Sequence, residues 1–384
     1  MTKKSGQSKV DSGNVLEKKA REDVAKRKKI VFVLPKPLSY RFGEYQKISE
    51  QMDVEIVMGG DDSAEFGALG DRYNQAFSVQ PSRVFSFFGG SLFYQTGTLW
   101  RFLSSRYDYF FIQGNIRYLD FWIILLINLL LNRPLLVHGQ GIYKKGAFPS
   151  TLSRAIYWLV AAAPMKYVAY CAFSKESLVS IGVKPDKITV FKNTLKVASA
   201  AHEVVKRNGS EDLGILFVGR VRHGSGLDWL LSNLSEASNT EGLVFHIVGG
   251  GAQLSELVKR FGSDNVRFYG PVFDEVEIAE TARKCSLGIY PGNAGLSLLH
   301  YAALGLPPVF HDRLELHEGP EFSFFTPGFD SFTFEQGNFD SLFSVVRKLN
   351  RNQDLLFDAA KNALNTSQDL QRTGFAEDLF DELL

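Results

Sequence analysis

Cysteine is scarce: Cys171 and Cys285 are the only two in 384 residues. A single pair set in apolar sequence builds neither a disulfide framework nor a thiolate metal site, so a reducing, cytoplasmic setting is expected. Net charge is nearly absent as well. Lys and Arg number 43 against 42 Asp and Glu, leaving +1, so no overall field draws the chain to nucleic acid. Long apolar runs are also missing. The most apolar stretch, Leu119 to Leu131 (LDFWIILLINLLL), contains Asp120 and Asn128 and is closed by Asn132-Arg133-Pro134. A spanning helix needs roughly 20 apolar residues, so this run reads as a buried core helix, with a helix dipping into a membrane interface as the alternative.

What is present is the material of a folded protein: 45% hydrophobic, 13% aromatic and 22% charged residues. The length exceeds the roughly 250–300 residues that one core serves, which predicts two domains. Residues 1–29 hold ten Lys/Arg against four Asp/Glu and almost nothing apolar. They read as a disordered basic tail, either a solvated arm or a weak tether to anionic lipid.

Short apolar runs alternate with helical patterns from residue 30 onward, which predicts an α/β fold of parallel, doubly wound sheets. Candidate strands are Ile30 to Leu34, Val54 to Met58, Tyr109 to Gln113, Leu135 to His138, Tyr167 to Tyr170 and Ile188 to Phe191. A polar stretch over 196–213 without either period reads as a linker. The pattern restarts with Gly214 to Val218, Leu243 to Val248, Val266 to Tyr269, Leu287 to Tyr290 and Pro308 to Phe310. The expected organisation is an N-terminal domain over 30–195, a C-terminal domain over 214–365, and a terminal helical segment over 366–384 that packs back toward the first. Ligands in such folds lie beyond the carboxyl ends of the strands.

Three passages there carry chemistry. The run Ile215 to Arg220 ends in Gly219-Arg220, a guanidinium at a strand end able to meet a phosphate. Val248-Gly249-Gly250-Gly251 follows the next strand, where glycine lets backbone approach a ligand or simply makes a tight turn. The passage from Tyr290 to Pro307 (YPGNAGLSLLHYAALGLP) predicts a strand, a glycine loop and a helix starting near Ala294. Backbone N–H groups of Asn293, Ala294, Gly295 and Leu296 would cradle a diphosphate without metal, and His300 would reach a ribose hydroxyl one turn later. The segment HDRLELHEGPE, with His311, His317, Glu318 and Glu321, matches no standard zinc spacing. It reads as a surface helix rich in charge, in which Glu318 to Glu321 could border a sugar.

Together these passages resemble the GT-B glycosyltransferases of family 4, most specifically between Gly214 and Pro307. The resemblance implies two Rossmann-like domains facing across a cleft, with donor bound mainly by the second. The family's diphosphate arginine falls on Arg220; its lysine falls near Ser225, leaving Arg222 or His223 to substitute. Its two glutamates, eight positions apart, fall on Gly292 and His300, so both carboxylates are missing. Arg41-Phe42-Gly43-Glu44 stands where the family has a glycine loop that closes over donor and acceptor, which implies acceptor contact at Phe42 and Gly43. His138, in Leu136-Val137-His138-Gly139, resembles the histidine beside the reacting sugar and is the candidate catalytic residue; a structural histidine is the alternative. The implied activity is transfer, in the retaining mode, from a nucleotide diphosphate sugar to a glycan or lipid-linked acceptor in surface-polysaccharide synthesis. No cofactor or metal and no nucleic-acid partner are expected, and peripheral contact with an anionic membrane is. A catalytically silent GT-B binding protein and a sugar-nucleotide epimerase are the rival readings.

Overall fold

The computed structural model describes residues 27–59, 64–146, 149–195, 204, 212–238, 240–372 and 374–384. The expected basic tail and the linker at 196–213 lie largely outside those residues. Along the first part of the chain run β1 (Lys29–Leu34), α1 (Phe42–Gln51), β2 (Asp53–Gly59), α2 (Ala64–Ala76), β3 (Ser78–Ser82), β4 (Val84–Phe87), β5 (Leu92–Gln95), α3 (Thr98–Leu103), β6 (Tyr109–Gln113), α4 (Leu119–Leu131), β7 (Leu135–Gly139), α5 (Thr151–Ala162), β8 (Lys166–Ala169), α6 (Ala172–Val179) and β9 (Ile188–Val190). There follow β10 (Leu213–Val218), α7 (Leu227–Glu236), β11 (Leu243–Val248), α8 (Leu254–Phe261), β12 (Val266–Gly270), α9 (Glu275–Ala282), β13 (Leu287–Tyr290), α10 (Ser297–Ala303), β14 (Pro308–His311), β15 (Phe332–Phe334), α11 (Phe339–Arg351), α12 (Gln353–Arg372) and α13 (Phe375–Leu383).

One sheet has the order β3-β2-β1-β6-β7-β8-β9 and the other β12-β11-β10-β13-β14-β15. Their ladders are parallel, as at β1–β2, β1–β6, β10–β11, β10–β13 and β13–β14. β4 and β5 form a separate antiparallel hairpin. Each large sheet grows outward in both directions from its first strand, the doubly wound plan. Burial explains why the strands were readable: β1 is buried at five consecutive positions and β10 from Leu213 to Phe217, so both faces are covered and the run is continuously apolar. By density of contacts the chain divides between Leu136 and Val137, inside β7.

The short elements β3, β4, β5 and β15 had escaped the sequence reading. β3 contains Pro81 and lies at a sheet edge, and the hairpin β4–β5 has exposed aromatics at Phe85, Phe87 and Phe88, a pattern unlike a buried strand. A second correction concerns Leu119 to Leu131. It is a surface helix, not a core one: Leu126, Leu129, Leu130 and Leu131 are exposed, whereas Asp120 and Asn128 are buried. Among the described residues no helix is long and apolar enough to cross a membrane.

Candidate functional site at the switch point of the second sheet

In the second sheet the chain reverses direction of growth between β10 and β13. These strands pair only at Ile215–Leu287 and Leu216–Gly288. Beyond that point the Tyr301 hydroxyl enters the gap, accepting the Val218 N–H at 3.0 Å and donating to the Ile289 carbonyl at 3.0 Å. Gly288 makes room for it, since a Cβ there would lie 2.2 Å from the Tyr301 ring. The strands therefore splay with their backbone groups satisfied, and a crevice opens at their carboxyl ends, where such folds bind ligands.

β10 delivers Gly219 and Arg220 to this crevice. A Cβ at Gly219 would lie 3.0 Å from the Tyr290 ring and 3.5 Å from the Ser297 hydroxyl, so the arginine-bearing segment runs beside the start of α10. Arg220 is exposed and has no ion-pair or hydrogen-bond partner among the described residues. Arg222 is different, because it pairs with Glu318 at 3.0 Å. His223 is also exposed and its Nδ1 lies 3.1 Å from the Gln253 amide nitrogen. Of the three basic candidates, only Arg220 is left uncommitted.

The triple glycine after β11 has a structural cause. Gly249 has φ +144° and a Cβ there would lie 1.8 Å from the Gly219 carbonyl oxygen; Gly251 has φ +148° with Val221 O at 2.4 Å. The Val221 N–H donates to Gly250 O at 2.8 Å. Gly249 thus touches the Gly219–Val221 segment, and its contribution is to hold Arg220 in place.

The loop after β13 revises the expected cradle. The Gly292 N–H donates to Ser225 O and that of Asn293 to Gly224 O, each at 3.0 Å, and the Ala294 N–H donates to His317 Nδ1 at 3.1 Å. The Asn293 and Ala294 amides are therefore spent inside the protein, and α10 begins at Ser297, not near Ala294. The N–H groups of Gly295, Leu296 and Ser297 have no partner among the described residues. These three half-buried positions form the remaining donor row.

The segment expected to be a charged surface helix is not one: it has no α-helix, and His311, His317 and Glu321 are buried, the two histidines shaping that row. His317 Nε2 donates to the His311 carbonyl at 3.0 Å, and the rings stack at 4.0 Å between centroids. His311 Nε2 reaches Asn293 Oδ1 at 3.3 Å, and its Nδ1 accepts the Arg313 N–H at 3.2 Å. Burial pushes His317 down to about 4 and lowers His311 too, so both are neutral scaffolds for Asn293 and Ala294. Their four ring nitrogens are taken by protein partners. Among the described residues no group of three or more His, Cys, Asp and Glu side chains could hold a metal.

His300 is buried in α10, and its Nε2 lies 3.0 Å from Glu275 Oε2. That carboxylate, in the first turn of α9, had not been singled out from the sequence; Asp274 beside it, whose side chain accepts the Val276 N–H, was the readable signal of a helix start. At Gly292 a Cβ would lie 2.1 Å from Gly224 O, so no glutamate fits there. Glu318 comes close instead: its N–H donates to Ala294 O at 2.7 Å, and its Cβ is 3.4 Å from where a Cβ on Gly295 would be. Gln140, in the loop after β7, donates to Glu318 O at 3.1 Å.

Arg220, Arg222, Gly249, Asn293, Ala294, Gly295 and Leu296 thus converge on one end of the second sheet, with His223 at its margin. His138, at the end of β7, is buried, with its ring stacked on Tyr170 at 4.3 Å and edge-on to Phe375 of α13 at 5.7 Å. Phe42 and Gly43 do not form an open glycine loop; they are the first residues of α1. Phe42 is buried against Tyr73 and Phe77 at 5.2 and 5.5 Å, with the Arg72 guanidinium over its face. Both residues belong to the compact unit that ends at Leu136.

Residues 212–352 match the sequence family described as glycosyl transferases group 1. No curated protein matches the chain. Among solved structures, Anabaena HepE in complex with UDP is similar over 92% of this chain and 98% of its own, with TM-score 0.66 and 15% identity. A glycosyltransferase from Rickettsia africae gives TM-score 0.66 at 14% identity, over 93% and 97%. A mutant of S. aureus TarM solved with fondaparinux, alpha-GlcNAc-glycerol and UDP gives 0.61 at 10%, over 93% and 99%. Two doubly wound parallel sheets, the second carrying the stretch that matches glycosyl transferases group 1, give the chain the GT-B fold.

Proposed function

We propose that the chain grips the diphosphate of a nucleotide sugar between Arg220 and the amides of Gly295, Leu296 and Ser297, and transfers the sugar to a glycan or lipid-linked acceptor. One observation carries the reading: at the switch point of the second sheet an uncommitted guanidinium stands beside a row of uncommitted N–H donors. HepE and TarM were each solved with UDP, which supports a uridine nucleotide as the first donor to try.

Cleavage of the bond between the anomeric carbon and the phosphate leaves an oxocarbenium-like sugar and a diphosphate gaining negative charge. Arg220 and the amide row would stabilise that charge as it develops, with no metal ion required. Glu318, beside Gly295, would border the sugar in lieu of the glutamate that Gly292 excludes. His300, oriented by Glu275, would meet the ribose hydroxyls. His138 remains the proposed group beside the reacting carbon. Retention of configuration, a role in surface-polysaccharide synthesis and the lipid-linked acceptor belong to the same proposal.

The test is release of nucleoside diphosphate from a panel of nucleotide sugars, with and without added glycans. One donor should be consumed, and Arg220→Ala should slow its turnover about 10²–10³-fold. Gly292 favours a second reading, a silent GT-B protein, since the family's carboxylate cannot be housed there. That reading predicts no turnover of any donor by the wild type.

A further inference from the structure

The helix α4 is apolar on its outward face as well as on its buried one, where Phe121, Ile124 and Leu125 lie. Its thirteen residues include two polar ones, Asp120 and Asn128, and both are buried. Asp120 accepts the Gln95 N–H at 3.0 Å, and Asn128 accepts the Arg133 N–H at 2.9 Å. The outward positions are apolar without exception: Leu119, Ile123, Leu126, Leu129, Leu130 and Leu131, with Leu130 87% exposed and Leu126 54%. A surface helix of a water-soluble fold normally shows the reverse arrangement.

The patch does not end with α4. α3 packs against it and exposes Trp100 (78%) and Leu103. At the other end of α4, Arg117 donates to the Gly90 and Ser91 carbonyls, which fixes the tip of the β4–β5 hairpin beside the helix start; Phe88 at that tip is 82% exposed. Contiguous exposed apolar surface of this kind marks a binding face.

The charge around it points to one occupant. Between Arg83 and Arg133 the sequence holds five arginines and two aspartates, one of them the buried Asp120. Arg83, Arg106 and Arg117 are exposed, and Arg133 caps the carbonyls of Phe102 and Ser104 at the end of α3. Because α4 runs antiparallel to the strands it connects, its last turn lies at the edge where β1 begins. There Lys28 sits over Tyr109, and the Lys29 N–H donates to Asp108. The strongly basic residues 1–29 therefore lead into the fold at the end of α4 where the leucines are most exposed. An apolar helix face with Trp and Phe at its margins, rimmed by cations, suits a helix lying in the interface of a bilayer with anionic headgroups.

We infer that α3, α4 and the β4–β5 tip dock this protein onto an anionic lipid bilayer. The inference does not depend on the transfer chemistry, because none of these residues lies in the switch-point site. The experiment is co-sedimentation of the full chain with phosphatidylcholine vesicles and with vesicles also containing phosphatidylglycerol. The wild type should bind the anionic vesicles and lose binding as salt is raised. The double substitution Leu126→Glu with Leu130→Glu should cut partitioning by roughly tenfold or more, with an unchanged melting temperature. Phe329→Glu, at an exposed phenylalanine just before β15 of the second sheet, should leave it intact. Failure of the wild type to bind, or equal binding by the double variant, overturns the inference. So does a lipid-free dimer that the double substitution splits, which would make a second copy the natural cover.

Discussion

His317 illustrates how a side chain with no part in the chemistry can set a site. Its buried ring is neutral and supplies the lone pair that the Ala294 N–H needs. Because burial lowers its folded value from 6.5 to about 4, the unfolded chain binds the extra proton first. Stability is therefore complete above about pH 6.5 and is lost as pH falls toward 4, by on the order of 3 kcal/mol from this group. His246, lowered to about 4 by burial near Tyr269, adds to the same slope. Denaturant midpoints measured between pH 7 and pH 4 should fall steeply, and His317→Asn should flatten part of that fall while weakening the fold at neutral pH. Tyr301 makes a second residue-scale case. Tyr301→Phe leaves the Val218 N–H and the Ile289 carbonyl without their partner and should cost about 1–3 kcal/mol in the same assay. The sequence showed neither role. His311 and His317 were visible in a charged, metal-like string, but which atom each ring nitrogen meets is a matter of folding in space.

At the scale of elements, the strands at both switch points were legible because burial on two faces leaves continuous apolar runs, and β10 and β13 lie within a residue of where the sequence put them. The start of α10 was not, because Gly292, Asn293 and Ala294 bind back to other segments before the helix begins. That packing yields a sharp prediction. Gly292→Glu restores the residue that the family resemblance calls for, yet its side chain would collide with Gly224 O, so the variant should lose several degrees of melting temperature without gaining turnover. The contrasting change is Gly70→Ala in α2, where a Cβ meets nothing within 4 Å and φ is ordinary. It should stabilise by up to ~1 kcal/mol, as glycine-to-alanine changes in helices do. A melt of the two variants beside the wild type checks both. The apolar run of α4 misled in the opposite direction, since thirteen residues with two polar ones look like core whichever way the helix is turned.

For the whole molecule, the two doubly wound sheets could be inferred from the alternation of strands and helices and the restart of the pattern at Gly214. The chemistry of the site was half legible. Arg220 and Gly295 stand on motifs that a single sequence displays, and Glu318 was read there as a residue that could border a sugar, whereas Glu275 reaches His300 from the first turn of α9 and carried no local signature. All of the functional account rests on one arrangement: Arg220 and the Gly295, Leu296 and Ser297 amides at the carboxyl end of the second sheet form the diphosphate site. The most direct measurement is a crystal structure of the chain with a bound nucleoside diphosphate, UDP first. The account predicts phosphate oxygens within hydrogen-bonding distance, about 2.7–3.2 Å, of those three amides and of the Arg220 guanidinium. A diphosphate bound elsewhere, with Arg220 still facing solvent, would contradict it.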